Sequence, residues 1–262
     1  MPRLEAAARA ELIVALADLA RDAGAEIMKI YESDFDVREK GENDPVTDAD
    51  VAAEAVILAG LAKLSPEIPV IAEELAAAGK LPPGNPAAWS SFWLVDPLDG
   101  TKEFIKKNGE FTVNIALIED GIPVLGVVYV PAKGTTYAGH GMGTATVRRQ
   151  GLPPQSIKVR PVPPSGLTVV ASRSHRDKET DDYLADLPVD QIISAGSSLK
   201  FCLVAEGQAD LYPRLGPTME WDTAAGHAVV LSAGGTVSTF EGAALSYGKP
   251  EFRNPKFVVK GG

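Results

Sequence analysis

Asp96 and Asp99 stand three positions apart in Asp96-Pro97-Leu98-Asp99-Gly100. Pro97 disfavours helix at Asp96 and Gly100 permits a tight turn, so the spacing predicts a strand that ends here. Two carboxylates on one turn repel unless a cation lies between them or one keeps its proton. A hard divalent ion such as Mg²⁺ takes oxygen ligands, backbone carbonyls like that of Leu98 included. For a generic Asp-x-x-Asp, a solvated Asx turn is the commoner explanation. Three further acids have suggestive settings. Glu73 and Glu74 close the short apolar run 70–72, Asp50 falls in the first turn of a predicted helix, and Asp222 follows Trp221 at the start of another. For Asp50 and Asp222, a favourable interaction with the helix dipole is the plainer explanation.

Other chemistries have less support. Gly196-Ser197-Ser198-Leu199-Lys200 precedes a predicted helix, where amides can hold an anion or Ser197 or Ser198 can simply cap. Gly139-His140-Gly141-Met142-Gly143 lacks the lysine and following helix of a P-loop and reads as a mobile hairpin tip. His140, His175 and His227 show no i,i+4 pair, and His227 reads as a packed core residue. Cys202 is the one cysteine, so an internal disulfide and a Cys-based zinc site are excluded.

The elements that must position these residues follow from periodicity. Leu12, Leu16, Leu19, Ala23 and Ile27 predict an amphipathic helix over 4–31. Thr47 and Asp50 have the spacing of a capping box, with Val51, Ala55, Leu58 and Ala62 continuing one apolar face. Residues 34–44 read as a loop or short strand pair, and 79–91 as a surface loop. Residues 92–95 form a buried strand, and runs 111–118 and 122–130 flank Asp120-Gly121 as a hairpin. A proline-rich stretch, 151–166, predicts a boundary between an N-terminal α+β half (1–165) and a C-terminal α/β half (166–262). Beyond it, strands at 167–171, 189–194, 209–212, 236–240 and 256–260 alternate with helices at 174–187, 198–206 and 221–233, the mark of a layered α/β arrangement.

Composition narrows the function. The 262 residues are 45% hydrophobic and 23% charged, as in globular proteins. A net charge of −10 argues against a protein that grips a nucleic-acid polymer along its phosphates. No signal-peptide core and no uncharged apolar run of about 18 residues is present, so a soluble protein of a reducing compartment is expected.

Three motifs in order resemble the inositol monophosphatase superfamily, a family of metal-dependent, lithium-sensitive phosphomonoesterases. They are Val46-Thr47-Asp48-Ala49-Asp50, Asp96-Pro97-Leu98-Asp99-Gly100-Thr101 and Trp221-Asp222-Thr223-Ala224-Ala225-Gly226. The resemblance spans positions about 10 to 260 and implies a layered αβαβα fold with two tightly joined halves. Gly100-Thr101-Lys102-Glu103-Phe104, Ser172-Arg173-Ser174-His175 and Tyr212-Pro213-Arg214 resemble the branch that acts on 3′(2′),5′-bisphosphate nucleotides. By that resemblance, Glu73, Asp96 and the Leu98 carbonyl would hold one Mg²⁺, and Asp96, Asp99 and Asp222 a second. Asp50, Thr101 and Glu73 would be the catalytic set, Thr101 orienting the attacking water with Asp50 fixing the threonine. Leu98, Asp99, Gly100, Thr101 and Asp222 would meet the scissile phosphate. Arg173, Ser197, Lys200 and Arg214 would surround the rest of the substrate, Lys200 and Arg214 pairing with the 5′-phosphate and His175 lying near the adenine. The implied reaction converts adenosine 3′,5′-bisphosphate to AMP and phosphate, in support of sulfate assimilation; an inositol- or sugar-phosphatase is the alternative. The implied setting is the cytoplasm, with peripheral contact at the inner membrane left open, as is the choice between monomer and homodimer.

Overall fold

The computed structural model describes residues 3–41, 44–172 and 178–262. Helix α1 (Ala6–Tyr31) buries Ile13, Leu16, Leu19, Ala20, Ala23 and Ile27, the stripe that its 3.6-residue period requires. A short antiparallel pair, β1 (Arg38–Gly41) and β2 (Asp44–Val46), leads into α2 (Asp48–Leu64). The capping box forms as the spacing predicts: Thr47 Oγ1 accepts from the Ala49 amide (3.2 Å), and Asp50 Oδ2 accepts from the Thr47 amide (2.8 Å).

Strand β3 (Val70–Ala72), the short helix α3 (Glu73–Ala77), β4 (Ser91–Asp99) and the short helix α4 (Thr101–Ile105) follow. Next come β5 (Thr112–Glu119) and β6 (Ile122–Val130), joined at Asp120 and Gly121, whose φ angles of 49° and 75° suit a tight hairpin. β7 (Thr135–Gly139), β8 (Thr146–Arg148) and β9 (Gln155–Ser156) complete a seven-stranded sheet in which only β3 and β4 run parallel.

The chain then changes sheet. β10 (Leu167–Ser172), α5 (Lys178–Ala185), β11 (Val189–Ala195), α6 (Leu199–Ala205), β12 (Leu211–Arg214), α7 (Glu220–Ser232), β13 (Thr236–Thr239) and β14 (Phe257–Lys260) follow. Their five strands are ordered β11-β10-β12-β14-β13, parallel over the first three and antiparallel thereafter.

Alternation along β4 and β5 divides the core. Trp93, Val95, Val113, Ile115 and Leu117 pack with α1 and α2, whereas Phe92, Leu94, Ala116 and Ile118 pack with Phe201, Ala224, Ala225 and Val229 of α6 and α7. The second sheet turns Val170, Phe257 and Val259 to those same helices, and Val169, Leu211 and Val258 to Leu184 of α5. The layers are therefore helix, sheet, helix, sheet, helix, as the resemblance implies. Close approach is built in at Gly126, where a Cβ would lie 2.5 Å from the Ala225 carbonyl oxygen of α7.

Two local expectations change. The strand at 92–95 does not stop at Asp96 but runs on to Asp99, because Pro97 falls in a β-bulge where its missing N–H costs no ladder bond. The Gly139–Gly143 turn is a hairpin connection, but it is pinned: the Gly143 amide donates to the Ser232 carbonyl (2.8 Å) and the Gly141 amide to Ser232 Oγ (3.2 Å).

Candidate active site

The bulge explains how Asp96 and Asp99 converge. Residues three apart on a regular strand face opposite sides. Here Asp96 pairs with Asn114 and Asp99 with Thr112, so three steps along β4 face two along β5 and β4 carries one extra residue. Both aspartates are thereby turned to the face that carries Thr112 and Asn114. Beyond Asp99, Gly100 takes φ 95°, which a side chain would resist, and starts α4 with Thr101 at its head.

Neighbouring elements bring the other acids. Ala72 pairs with Val95 in the parallel β3–β4 ladder, so Glu73 and Asp96 leave it side by side. Asp222 is the third residue of α7, and its Oδ2 accepts from the Met219 amide (2.9 Å). Asp50, buried in the first turn of α2, accepts from Thr101 Oγ1 at Oδ1 (3.2 Å) while Oδ2 holds the Thr47 amide and hydroxyl (both 2.8 Å). Thr101 Oγ1 also lies 3.4 Å from the Leu98 carbonyl.

All of these acids but Asp50, which lies behind Thr101, line one cleft of about 250 Å³. Leu98, Gly100 and Thr101 line it with them, as do Ser197, Lys200, Phe201, Tyr212, Arg214 and Thr218. Burial first, then the charges of Glu73, Asp99 and Asp222 and a hydrogen bond to Glu73, push the Asp96 carboxyl well above the usual carboxylate range. Asp222 is raised in the same way, by burial and then by Asp99 and Glu73, against the Met219 amide. Such crowding is what a bound cation relieves.

The donor set suits a hard divalent ion, being carboxylate and carbonyl oxygens without sulfur or imidazole. Among the described residues no three acidic, histidine or cysteine groups close into a ready-made cage.

The remaining predicted residues fall into three groups. Lys200 and Arg214 share the cleft with the carboxylates. Ser197 and Ser198 lie at the head of α6, yet neither side chain caps it. Ser197 Oγ approaches Thr112 Oγ1 (2.5 Å), and Ser198 Oγ donates to the Asp222 carbonyl (2.6 Å). Arg173 and His175 lie outside the described residues. His227 and Cys202 are buried away from the cleft lining, His227 bonded through Nδ1 to the Tyr247 hydroxyl (3.0 Å). The sequence reading did not assign Phe201, Tyr212 or Thr218 to the site, since aromatics in a helix and a strand read as core. It also passed over Thr112 and Asn114, although polar side chains in the apolar run 111–118 are themselves a signal, because they need partners when buried.

The family pattern of the inositol monophosphatases matches residues 8–259, and the chain belongs to that family. Within it, the chain is 53% identical over 246 residues to the 3′(2′),5′-bisphosphate nucleotidase CysQ of Escherichia coli strain K12, covering 92% of this chain and 96% of the relative. The CysQ of Haemophilus influenzae is 32% identical over 93% of this chain and 90% of its own. Among solved structures, CysQ from Bacteroides thetaiotaomicron superposes with a TM-score of 0.79 at 40% identity, covering 94% of this chain and 96% of that one. An inositol monophosphatase from Anabaena gives 0.74 at 27% identity, with 96% and 91% covered. Among the described residues no helix is long and apolar enough to cross a membrane.

Proposed function

We propose that this chain is a Mg²⁺-dependent 3′(2′),5′-bisphosphate nucleotidase that hydrolyses adenosine 3′,5′-bisphosphate to AMP and phosphate, a reaction that would serve sulfate assimilation by clearing a by-product of sulfonation. The observation that carries this reading is one cleft lined both by the carboxylates Glu73, Asp96, Asp99 and Asp222 and by the cations Lys200 and Arg214. A substrate with two phosphates needs both kinds of group, one for the bond that breaks and one for the phosphate that stays. The 53% identity to a bisphosphate nucleotidase, against 27% to an inositol monophosphatase, supports the nucleotide over the sugar alcohol.

Glu73, Asp96 and the Leu98 carbonyl would hold one ion, and Asp96, Asp99 and Asp222 another. The ions would neutralise the phosphoryl oxygens and favour hydroxide over water at neutral pH. The chain's own residues do the orienting. Thr101 Oγ1 spends its proton on Asp50 Oδ1 and keeps a lone pair to accept a hydrogen bond from the attacking water. Asp50 is itself held by the Thr47 amide and hydroxyl, so the threonine has one orientation. The amides of Gly100 and Thr101, at the start of α4, are available to the phosphoryl oxygens.

Phosphate release from adenosine 3′,5′-bisphosphate, inositol 1-phosphate and fructose 1,6-bisphosphate, each with Mg²⁺ and with EDTA, tests the reading. The nucleotide should be turned over with the highest kcat/KM, only with Mg²⁺, and with inhibition by tens of millimolar Li⁺. A preference for inositol 1-phosphate would give the site to the alternative substrate class, and activity in EDTA would remove the metals from the mechanism. Asp96→Asn, which would weaken both ion positions, should lower kcat by at least ~10³.

A further inference from the structure

Three consecutive residues ahead of α6 make five polar contacts with the first sheet, the loop before β5 and α7. The Gly196 amide donates to Glu110 Oε2 (2.8 Å), and Ser197 Oγ lies 2.5 Å from Thr112 Oγ1. The Ser198 amide donates to Asp99 Oδ2 (2.6 Å). Ser198 Oγ accepts from Asn114 Nδ2 (3.0 Å) and donates to the Asp222 carbonyl (2.6 Å). Asn114 completes the set: Nδ2 also lies 3.4 Å from Asp99 Oδ2, and Oδ1 accepts from Thr112 Oγ1 (3.0 Å). Thr112, Asn114 and Ser198 are all at most 1% exposed.

Packing alone does not call for this chemistry. An apolar side chain at 114 and an alanine at 198 would fill the same interior without buried polar groups to satisfy. What the polar set does is join two cleft aspartates that arrive on different elements, Asp99 on β4 and Asp222 on α7. The Ser198 amide holds Asp99 by one oxygen, Oδ2, while the Ser198 hydroxyl holds the backbone of Asp222. The first turn of α7 therefore cannot slide relative to Asp99 without breaking a bond to Ser198, and Ser198 cannot shift without leaving Asn114.

We propose that Asn114 and Ser198 are positioning residues that fix the spacing of Asp99 and Asp222 and so tune the divalent-ion position those two carboxylates share. The inference rests on the two-ion nucleotidase reading above and deepens it. Neither residue lines the cleft. Both act through the aspartates, so their removal changes how tightly one ion is held before it changes the chemical step.

The test is calorimetric titration of the metal-free protein with Mg²⁺ for the wild type, Ser198→Ala and Asn114→Ser, with thermal melts and kcat measured across Mg²⁺ concentration. Asp222→Asn identifies which binding class belongs to the Asp99–Asp222 position. Both variants should weaken that class by 10- to 100-fold, the range for partners that orient metal ligands, and leave the other class within about twofold. Their kcat should fall at low Mg²⁺ and recover at saturation. Because the two side chains are bonded to each other, the double variant should lose less than the sum of the two single losses. Should Ser198→Ala fail to fold, Asn114→Ser, which keeps a small polar group, carries the same expectation. Ion affinities equal to wild type, or both classes weakened together with a lowered melting temperature, would overturn the inference. A wild type that takes up no Mg²⁺ removes the nucleotidase reading and the inference together. A wild type that binds Mg²⁺ and cleaves the bisphosphate while the variants titrate like it removes the inference alone.

Discussion

Lys200 and Arg214 both carry positive charge into the cleft, but their surroundings separate their roles. The Lys200 ammonium already donates to the Ser197 carbonyl (2.6 Å) and lies 5.4 Å over the Tyr212 ring. Burial, opposed by Asp99, pushes its pKa down to about 8. Lys200 thus also holds the turn that carries Ser197, which has a positive φ of 53°. Arg214 donates from Nη2 to the Pro217 carbonyl (3.0 Å), and its buried Nε has no partner among the described residues. On the proposed function, Arg214 would have donors to spare for the phosphate that stays. A charge-assisted bond of this kind contributes about 1.5–3 kcal/mol. Arg214→Ala should lower kcat/KM for adenosine 3′,5′-bisphosphate about 10- to 150-fold and leave inositol 1-phosphate nearly unchanged. Lys200→Ala should depress both, because the Ser197 turn loosens. Specificity constants for the two substrates in wild type and each variant give the answer, and equal losses for Arg214→Ala would count against its role.

At the scale of elements, α7 is the shared member. It carries Asp222 at its N-terminal end and packs on β4, β5, β6 and β7 of one sheet and on α6 and β13 of the other half. Its seat on β6 depends on glycine. At Gly126 a methyl group would meet the Ala225 carbonyl oxygen at 2.5 Å and the Ala228 Cβ at 2.7 Å, with backbone that has nowhere to go. Overpacking of this kind costs about 1–3 kcal/mol. Gly126→Ala should lower unfolding free energy by about that amount in urea, and lower activity more than stability alone explains, since α7 moves with Asp222. Unchanged stability and activity would show that α7 has slack the packing does not suggest.

The whole molecule should respond to pH through His227, which lies in α7 between the sheets. Burial, and secondarily Lys249, pushes its pKa down to about 3. The unfolded chain takes up this proton near pH 6.5 and the folded chain does not. Stability from this group is therefore complete above pH 6.5 and is lost as pH falls from 6.5 toward 3. Between pH 7 and pH 5 the loss is about 2 kcal/mol. His227→Gln, which removes the titration, should flatten the pH dependence of urea unfolding over this range by that amount. A variant with the wild-type slope would mean that His227 does not drive it. The global charge acts in the same arena. With 35 acids and 25 bases the protein carries a net negative field, so on the proposed function Mg²⁺ together with Arg214 and Lys200 would have to outweigh that field locally for an anionic substrate.

Local chemistry made part of this legible in the amino-acid order alone. Leu16, Leu19, Ala23 and Ile27 repeat with the helical period, Thr47 and Asp50 cap α2, and Asp120-Gly121 turns a hairpin, because each depends on neighbours within a few positions. The motifs around Asp50, Asp96–Thr101 and Asp222 were legible for the same reason, being short and contiguous. Tertiary structure alone decided the bulge that puts Asp96 and Asp99 on one face, since strand parity depends on which residue of β5 stands opposite. It alone assigned Thr112 and Asn114 to the site, because their partners, Ser197 and Ser198, lie more than 80 positions away. The same holds for the burial of Lys200, which its place in the chain does not announce and which pushes its pKa down to about 8. A side chain's partner across sheets is set by how α6 and α7 pack between them, and that packing is a sum of many weak apolar contacts that no single stretch of sequence contains.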